Sequence, residues 1–542
     1  MAMPRLATAN HAVSPPRIRI PRPCNAAFDL LERNLRAGRA EKVAYIDGNG
    51  RWTFAELAER ADRCAAALLE LGITPGERVL LCLHDTIDFP VAFLGAIRAG
   101  IVPVAVNTLL TAGDYAYLLR DSSAAAMMVS APLLPAMKEA GANAPALRHV
   151  IVSGGTDPGA LALDALLADA TPGTEPAACA PGDPCFWLYS SGSTGAPKGT
   201  VHRHASLICT AELFGRGVLG IREDDVLYSA AKLFFAYGLG NSLTFPLAAG
   251  ATTVLMAQRP TPESVSEILV RHRPTVFFAV PTLYASLLSS PALPPAGDLR
   301  LRACVSAGEA LPRDVGERWK RRTGVDIIDG IGSTEMLHIF LSNRPGDVHY
   351  GTCGLPVPGY RLRIVDEAGR AVPAGEIGEL LVQGPSAAAG YWNQPEKTAK
   401  TFQGRWVRTG DRFSVNADGR YVHAGRADDM LKVSGIWVSP VEVESALVSH
   451  PAVLEAAVIG REDGDGLVKP MAFVVTDGGH DPSPALAAEL KEHVKNALAP
   501  WKYPRWIEFV DELPKTATGK IQRFRLRERV RDLQVANDAA GA

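Results

Sequence analysis

The sequence predicts an α/β body that carries a β-barrel-like part and is followed by a small α+β C-terminal unit. Amphipathic helical stretches alternate with short apolar runs early in the chain. The texture turns to short strands with Gly, Pro and Asp turns beyond about Gly351, and it shifts again after Asp428. With 542 residues, 47% hydrophobic and 21% charged, the chain has the apolar content for a large core. A prior of about 100–200 residues per domain gives roughly three or four folding units.

From Thr53 to Leu71 the apolar residues Phe54, Leu57, Ala61, Cys64, Leu68 and Leu71 recur at steps of three and four. Thr53 and Glu56 have capping-box spacing and Gly72 supplies the stop, so an amphipathic helix is expected. A strand-like run over 79–83, a short helix over 91–98 and a second apolar run over 101–106 then alternate as parallel βαβ units do, and the pattern recurs at 252–255, 275–278 and 325–328. Short strands such as 360–365, 379–382 and 421–423 suggest a twisted barrel-like part over about 351–427. Ser439, Pro440 and Glu442 place an N-cap, a Pro at the first helical position and a Glu at the third, opening a helix that closes before Pro451. Strands over 453–459 and 470–475 and a helix over 484–498 complete a compact unit. The expected organisation is a loose leader over 1–25, an N-terminal domain over 26–427 and a C-terminal domain over 428–542, with the boundary at 426–429.

Composition excludes several classes. Lys+Arg 56 against Asp+Glu 58 leaves a net charge of -2, so no chain-wide positive field exists to hold a polyanion, and nucleic acid is not an expected partner. Eight cysteines without a Cys-x-x-Cys pair or clustered His argue against a disulfide framework and a structural zinc, and point to reduced core thiols in a cytoplasmic protein. Residues 1–25 lack the apolar run of ~7–15 residues that an export signal needs. The most apolar stretch, 89–110, is broken by Pro90, Arg98, Gly100 and Pro103, short of the ~20 apolar residues that span a bilayer, so no membrane is expected.

The run Tyr189-Ser190-Ser191-Gly192-Ser193-Thr194-Gly195-Ala196-Pro197-Lys198-Gly199 packs hydroxyls, glycines and a lysine, a composition that wraps polyphosphate with backbone N–H donors, Oγ donors and one cation. It is not a Walker A element, which wants Gly before the Lys and Ser or Thr after it, where this chain has Pro197 and Gly199. A switch or motor NTPase is therefore disfavoured.

This loop resembles the signature of the adenylate-forming superfamily of acyl-CoA ligases, peptide-synthetase adenylation domains and luciferases, and further segments match in the family's order. Ser306-Ala307-Gly308-Glu309-Ala310 resembles the adenine-bracketing turn, and Asp329-Gly330-Ile331-Gly332-Ser333-Thr334-Glu335 the second adenine and metal motif. Arg408-Thr409-Gly410-Asp411 resembles the ribose-binding carboxylate, the segment 425–429 the interdomain hinge, and Pro514-Lys515-Thr516-Ala517-Thr518-Gly519-Lys520 the catalytic lysine loop. The strings 232–241, 333–343 and 429–436 closely resemble the benzoate-CoA ligases of that superfamily.

The resemblance implies an AMP-forming ligase that uses ATP, Mg²⁺ and coenzyme A on a small aromatic carboxylic acid, and it leaves a homodimer open. It assigns nucleotide contacts to Ser190, Ser191, Gly192, Ser193, Thr194, Gly195, Lys198, Gly308, Glu309, Ala310, Asp329, Gly330, Ile331, Ser333, Thr334, Asp411 and Arg426, and magnesium to Thr194 and Glu335. Phe235, Ala236, Tyr237, Gly238, His338 and Ile339 would line the acyl pocket, with Lys432 near the substrate carboxylate. Lys520 would neutralise charge between that carboxylate and the α-phosphate. Asp428 would be the hinge of a mobile C-terminal domain and Gly435 would edge the CoA channel.

Each assignment has a plainer counterpart. Taken by spacing alone, Lys520 is a solvated Lys in a Thr/Gly turn, Gly435 a turn glycine, Glu335 a surface charge and His338 a structural imidazole. Two departures from the wider superfamily stand out. Ile331 occupies a place where many members stack Tyr on adenine, and Phe235 a place where many acyl-CoA ligases carry His.

Overall fold

The computed structural model describes residues 4–192, 195–433, 436–463, 467–515 and 521–541. Among them, eight strands form one sheet and nine form a second. Each sheet has a parallel centre built from the apolar runs. In the first, Arg78–Cys82 lies between Val102–Ala105 and Ala126–Ser130, all parallel. In the second, Val226–Ser229, Val276–Ala279, Ala303–Ser306 and Ile327–Gly332 run parallel in that order. Strands buried on both faces read as continuous apolar runs because helices cover each side.

The helix Phe54–Glu70 begins at Thr53, whose side chain and that of Glu56 complete the reciprocal capping box, and Gly72 follows its end at φ +74. Asp88–Arg98 starts three residues before the expected 91–98. Pro90 falls in its first turn, where a missing N–H removes no intrahelical bond. These helices and Ala26–Arg36 pack into the largest apolar cluster of the body.

The segment expected as a loose leader is pinned down instead. Thr8–Asn10 pairs antiparallel with Arg17–Arg19, and Cys24 exchanges backbone hydrogen bonds of 2.8 and 3.0 Å with Cys179. His11 Nε2 lies 2.8 Å from Glu212 Oε2, a buried carboxylate that also takes Arg33 at 2.9 Å and Arg216 at 3.0 Å. The part read as barrel-like holds a five-stranded antiparallel sheet that includes Arg361–Val365, Gly378–Gln383, Trp406–Val415 and Tyr421–Arg426.

After residue 428 a separate three-stranded sheet, Val453–Glu462, Val468–Thr476 and Trp506–Phe509, has helices on both faces. Val443, Leu447, Leu490 and Val494 cover one side, and Leu526 and Val530 the other. Ser439 caps Pro440–Val448 as expected, its Oγ accepting from Glu442 N at 3.2 Å. The Glu442 carboxylate does not return to the cap. It binds Lys502 Nζ at 2.6 and 2.7 Å, a long-range ion pair that outcompetes the local bond. No helix among the described residues is long and apolar enough to cross a membrane.

Candidate active site

The glycine–serine run falls on two antiparallel strands. Pro184–Gly192 pairs antiparallel with Gly195–Arg203, Ser190 faces Lys198 and Gly192 faces Gly195. Ser193 and Thr194 lie outside the described residues, as do Gly435 and Lys520. Ser190 Oγ is buried and has no hydrogen-bond partner among the described residues, the state of a donor that awaits a ligand. Burial lowers the Lys198 ammonium, with Lys397 and Arg426 adding to the fall and Glu335 opposing it.

Glu335 sits in a tight turn, Thr334–Met336, whose three consecutive carbonyls are held by the strand Gly195–Arg203 and by the loop over 384–389. His202 Nε2 meets Thr334 O at 2.8 Å, Ala388 N donates to Glu335 O at 2.8 Å, and Ser386 Oγ donates to Met336 O at 2.7 Å. Ser333 Oγ accepts from Met336 N at 3.3 Å. His202 is buried against Phe186 and pulled down to about 3 by burial, so it is neutral and donates through Nε2. Leu337 follows at φ +66, a conformation that a branched side chain adopts under strain. That kink turns the chain from the carboxylate into the strand Ile339–Ser342. The Glu335 carboxylate accepts from Tyr391 OH at 2.7 Å, and Lys198 Nζ donates to the same hydroxyl at 3.2 Å.

Beyond the kink, His338 is buried in an aromatic cage. Its ring centroid lies 4.5 Å from Phe245, 5.4 Å from Phe214 and 5.6 Å from Tyr237. Nε2 is 3.2 Å from both Tyr237 O and Asn241 Oδ1. Asn241 Nδ2 donates to Ser229 Oγ, which sets the amide with its oxygen toward the imidazole. The proton is therefore on Nε2, and Nδ1 is a buried acceptor without a partner among the described residues. Burial pulls this imidazole down to about 3, so it is neutral. The opposing wall is the helical stretch from Ala236 to Ala249, which widens into a π-helical turn at Gly240–Thr244, a distortion common at ligand sites. Phe235, Ala236 and Tyr237 are half-buried at its start, Gly238 is buried, and Tyr237 OH donates to Val305 O at 3.0 Å. Ile339 is buried beside Gly330, where a Cβ would stand 3.0 Å from its Cγ2.

Asp329 lies in the buried part of its strand with Oδ1 unpartnered among the described residues, and burial pushes its carboxyl well above the usual range. Gly308, at φ +98, turns the chain at Glu309 and Ala310. Ile331, Ser333 and Thr334 are half-buried. Asp411 is buried and faces Arg426 across the sheet, with Arg426 Nη1 3.2 Å from Oδ1 and 3.0 Å from Thr409 O. Burial lowers Arg426, but the charges of Asp411, Asp428 and Glu335 more than reverse that and raise it. Asp428 and Lys432 are exposed. Asp429 pairs with Arg523 and Arg527 of the C-terminal helix Arg523–Gly541, and Arg523 also feels Glu309.

Lys198, Glu335, Asp411, Arg426 and Asp428 thus share one charged neighbourhood, and His338, Ile339 and the 235–238 segment share an apolar one three residues further along the chain from Glu335. The structure adds Tyr391, His202, Ser386 and Asn241, which sequence reasoning did not select. Of the two residues expected to hold magnesium, Thr194 lies outside the described residues and Glu335 supplies one carboxylate. No group of three or more His, Cys, Asp or Glu converges among the described residues, and Mg²⁺ needs only one or two carboxylates when phosphate oxygens and waters complete its shell.

A body of two mixed sheets with parallel centres, followed after residue 428 by a small sheet-and-helix unit, is the architecture of the adenylate-forming class of enzymes. Residues 31–392 match the AMP-binding enzyme family and residues 442–520 its C-terminal domain, and the chain belongs to that family. It is 63% identical to a benzoate–CoA ligase of Thauera aromatica over 96% of this chain and 99% of that protein. It is 54% identical to a 4-hydroxybenzoate–CoA/benzoate–CoA ligase of Rhodopseudomonas palustris over 93% of this chain and 94% of the relative. A crystal structure of a benzoate CoA ligase from Burkholderia xenovorans aligns with TM-score 0.88 at 56% identity, covering 93% of this chain and 99% of that one.

Proposed function

We propose that the chain activates benzoate with ATP to benzoyl-adenylate and transfers the benzoyl group to coenzyme A, releasing pyrophosphate and then AMP, in the cytoplasm. The observation that carries this reading is the short path from the clamped Glu335 carboxylate to the buried His338 cage. A charged neighbourhood suited to a triphosphate and an apolar aromatic one suited to an aryl ring adjoin there. A planar acid buries both ring faces in an aromatic slot and leaves only its carboxylate needing polar partners.

In the first half-reaction a benzoate oxygen attacks the α-phosphorus, the bond to the bridging oxygen breaks, and pyrophosphate departs. The nucleophile is already an anion, so positioned cations carry the catalysis. Lys198 and Arg426 supply positive charge near Glu335, and Lys520 of the C-terminal domain supplies another. Glu335 and Thr194 would hold magnesium, whose chemistry is to neutralise charge on the phosphate oxygens. Asp411 accepts from the ribose hydroxyls with Arg426 behind it, and Ser190 and the rest of the glycine–serine run donate to phosphate. In the second half-reaction the CoA thiol, reaching past Gly435 after rotation about Asp428, attacks the carbonyl carbon and AMP leaves.

A second reading, that hydroxy- or aminobenzoates are also accepted, is favoured by His338 Nδ1, which has no partner among the described residues and which a donor substituent would satisfy. Incubation with ATP, Mg²⁺, CoA and a panel of benzoates tests both readings. AMP and an aryl thioester are expected, with benzoate giving the highest kcat/KM. ADP as product, or no turnover of any aryl acid, would overturn the proposal.

A further inference from the structure

Tyr391 is fixed tightly by its surroundings. It lies on the strand Gly390–Tyr391, opposite Thr200 in the strand Gly195–Arg203. Its backbone N donates to Thr398 Oγ1 at 3.0 Å, and its buried ring packs edge-on against Phe402 at 5.5 Å. Gly390, at φ +148, lets the strand approach the helix Pro395–Thr401, since a Cβ there would stand 2.7 Å from Thr398 Cγ2. The hydroxyl therefore has little freedom.

It sits between opposite charges. Glu335 Oε1 lies 2.7 Å on one side, and Lys198 Nζ lies 3.2 Å on the other and 4.3 Å from the ring centroid. An ammonium can only donate, an ionised carboxylate can only accept, and a phenol does one of each. The direction is thus forced: Lys198 donates to Tyr391, and Tyr391 donates to Glu335. Burial, reinforced by the Glu335 charge, raises the phenol and keeps its proton in place. The ring face also offers the ammonium a cation–π contact.

We propose that Tyr391 is a positioning residue of the nucleotide site, a neutral spacer that keeps Lys198 and Glu335 aimed and apart so that each meets the triphosphate and its magnesium rather than the other. The spacer rests on the reading of Lys198 and Glu335 given under Proposed function. Without the hydroxyl, ammonium and carboxylate are free to close into a direct ion pair, and nucleotide and metal must then break it.

The test is Tyr391→Phe, which keeps the ring, its packing and the cation–π face. Calorimetric titration with a non-hydrolysable ATP analogue at graded Mg²⁺ is expected to show half-saturation shifted to about tenfold higher Mg²⁺, the loss of one charge-assisted hydrogen bond. The KM for ATP should rise, while the KM for benzoate, the Tm and thioester formation from supplied benzoyl-adenylate stay unchanged. In a Glu335→Gln background the substitution should shift the titration no further. An unchanged Mg²⁺ dependence, or an equal loss in the adenylate-to-thioester step, would overturn the proposal. Pyrophosphate release by the unsubstituted protein is measured alongside: its absence with every aryl acid counts against the function, whereas the binding titration judges the spacer by itself.

Discussion

Adding one methyl group at Gly240 presses on His338, the residue proposed to line the acyl slot. A Cβ there would stand 2.3 Å from His338 Cδ2, 2.6 Å from its Nε2 and 3.0 Å from Phe245 Cζ. Carbon atoms rest at about 3.5–4.0 Å, so the imidazole must withdraw by about 1 Å. Phe214, Phe245 and Tyr237 surround the ring, and the withdrawal breaks the 3.2 Å contacts of Nε2 with Tyr237 O and Asn241 Oδ1. Overpacking of this kind costs about 1–3 kcal/mol, and a misplacement of about 1 Å at a reacting centre lowers rates by roughly 10²-fold. Gly240→Ala is therefore expected to lower kcat/KM for benzoate by about that factor in a pyrophosphate-exchange assay. The KM for ATP should be unchanged and the Tm lower by several degrees. If benzoate kcat/KM stays within about twofold of the parent while the protein is destabilised as expected, His338 does not line the slot that holds the ring.

Four further outcomes follow from individual groups. Lys520→Ala should abolish adenylation and leave thioester formation from supplied benzoyl-adenylate largely intact; equal loss of both halves contradicts a two-pose cycle. Asp85 is buried beside Lys232, and burial pushes its carboxyl to about 6, with Lys232 and the Leu233 amide opposing. A raised acid contributes stability that is full below its unfolded pKa and is lost as pH rises through about 6. Asp85→Asn should remove that slope, of order 3 kcal/mol, in urea unfolding followed across the window. The buried imidazole of His202 has the opposite sign. It is pulled down to about 3, so its stability is full above the ordinary His range and is lost as pH falls, and His202→Gln should flatten acid unfolding. Arg523 binds the buried Glu444 at 2.7 Å through Nη2. Arg523→Met leaves that carboxylate unpaired, a loss of about 3–5 kcal/mol, and limited proteolysis should cut the C-terminal unit before the body.

What the sequence made legible was local. The helix at Phe54–Glu70 follows from apolar spacing and a cap three residues wide, and the parallel strands follow from apolar runs with no polar face. The partners that lie far off in sequence were not legible. Tyr391 meets Glu335 across 56 residues, His202 meets Thr334 across 132, and His11 meets Glu212 across 201. No periodicity encodes such contacts, and the N-terminal segment therefore read as loose. Glu442 shows a local signal overridden, its carboxylate drawn to Lys502, 60 residues on. The order of motifs along the chain, by contrast, picked out Lys198, Asp411, Arg426 and Asp428, which share the neighbourhood of Glu335, and Tyr237, which packs on His338, because each motif is short.

The central claim is that a benzoate oxygen attacks the α-phosphorus of ATP in the crevice between Glu335 and the His338 cage. Benzoate labelled with heavy oxygen in its carboxyl group, incubated with the protein, ATP, Mg²⁺ and CoA and followed by mass spectrometry, tests that directly. One labelled oxygen per turnover is expected in AMP, with pyrophosphate unlabelled. Label in inorganic phosphate, or AMP free of label while benzoyl-CoA accumulates, would contradict it.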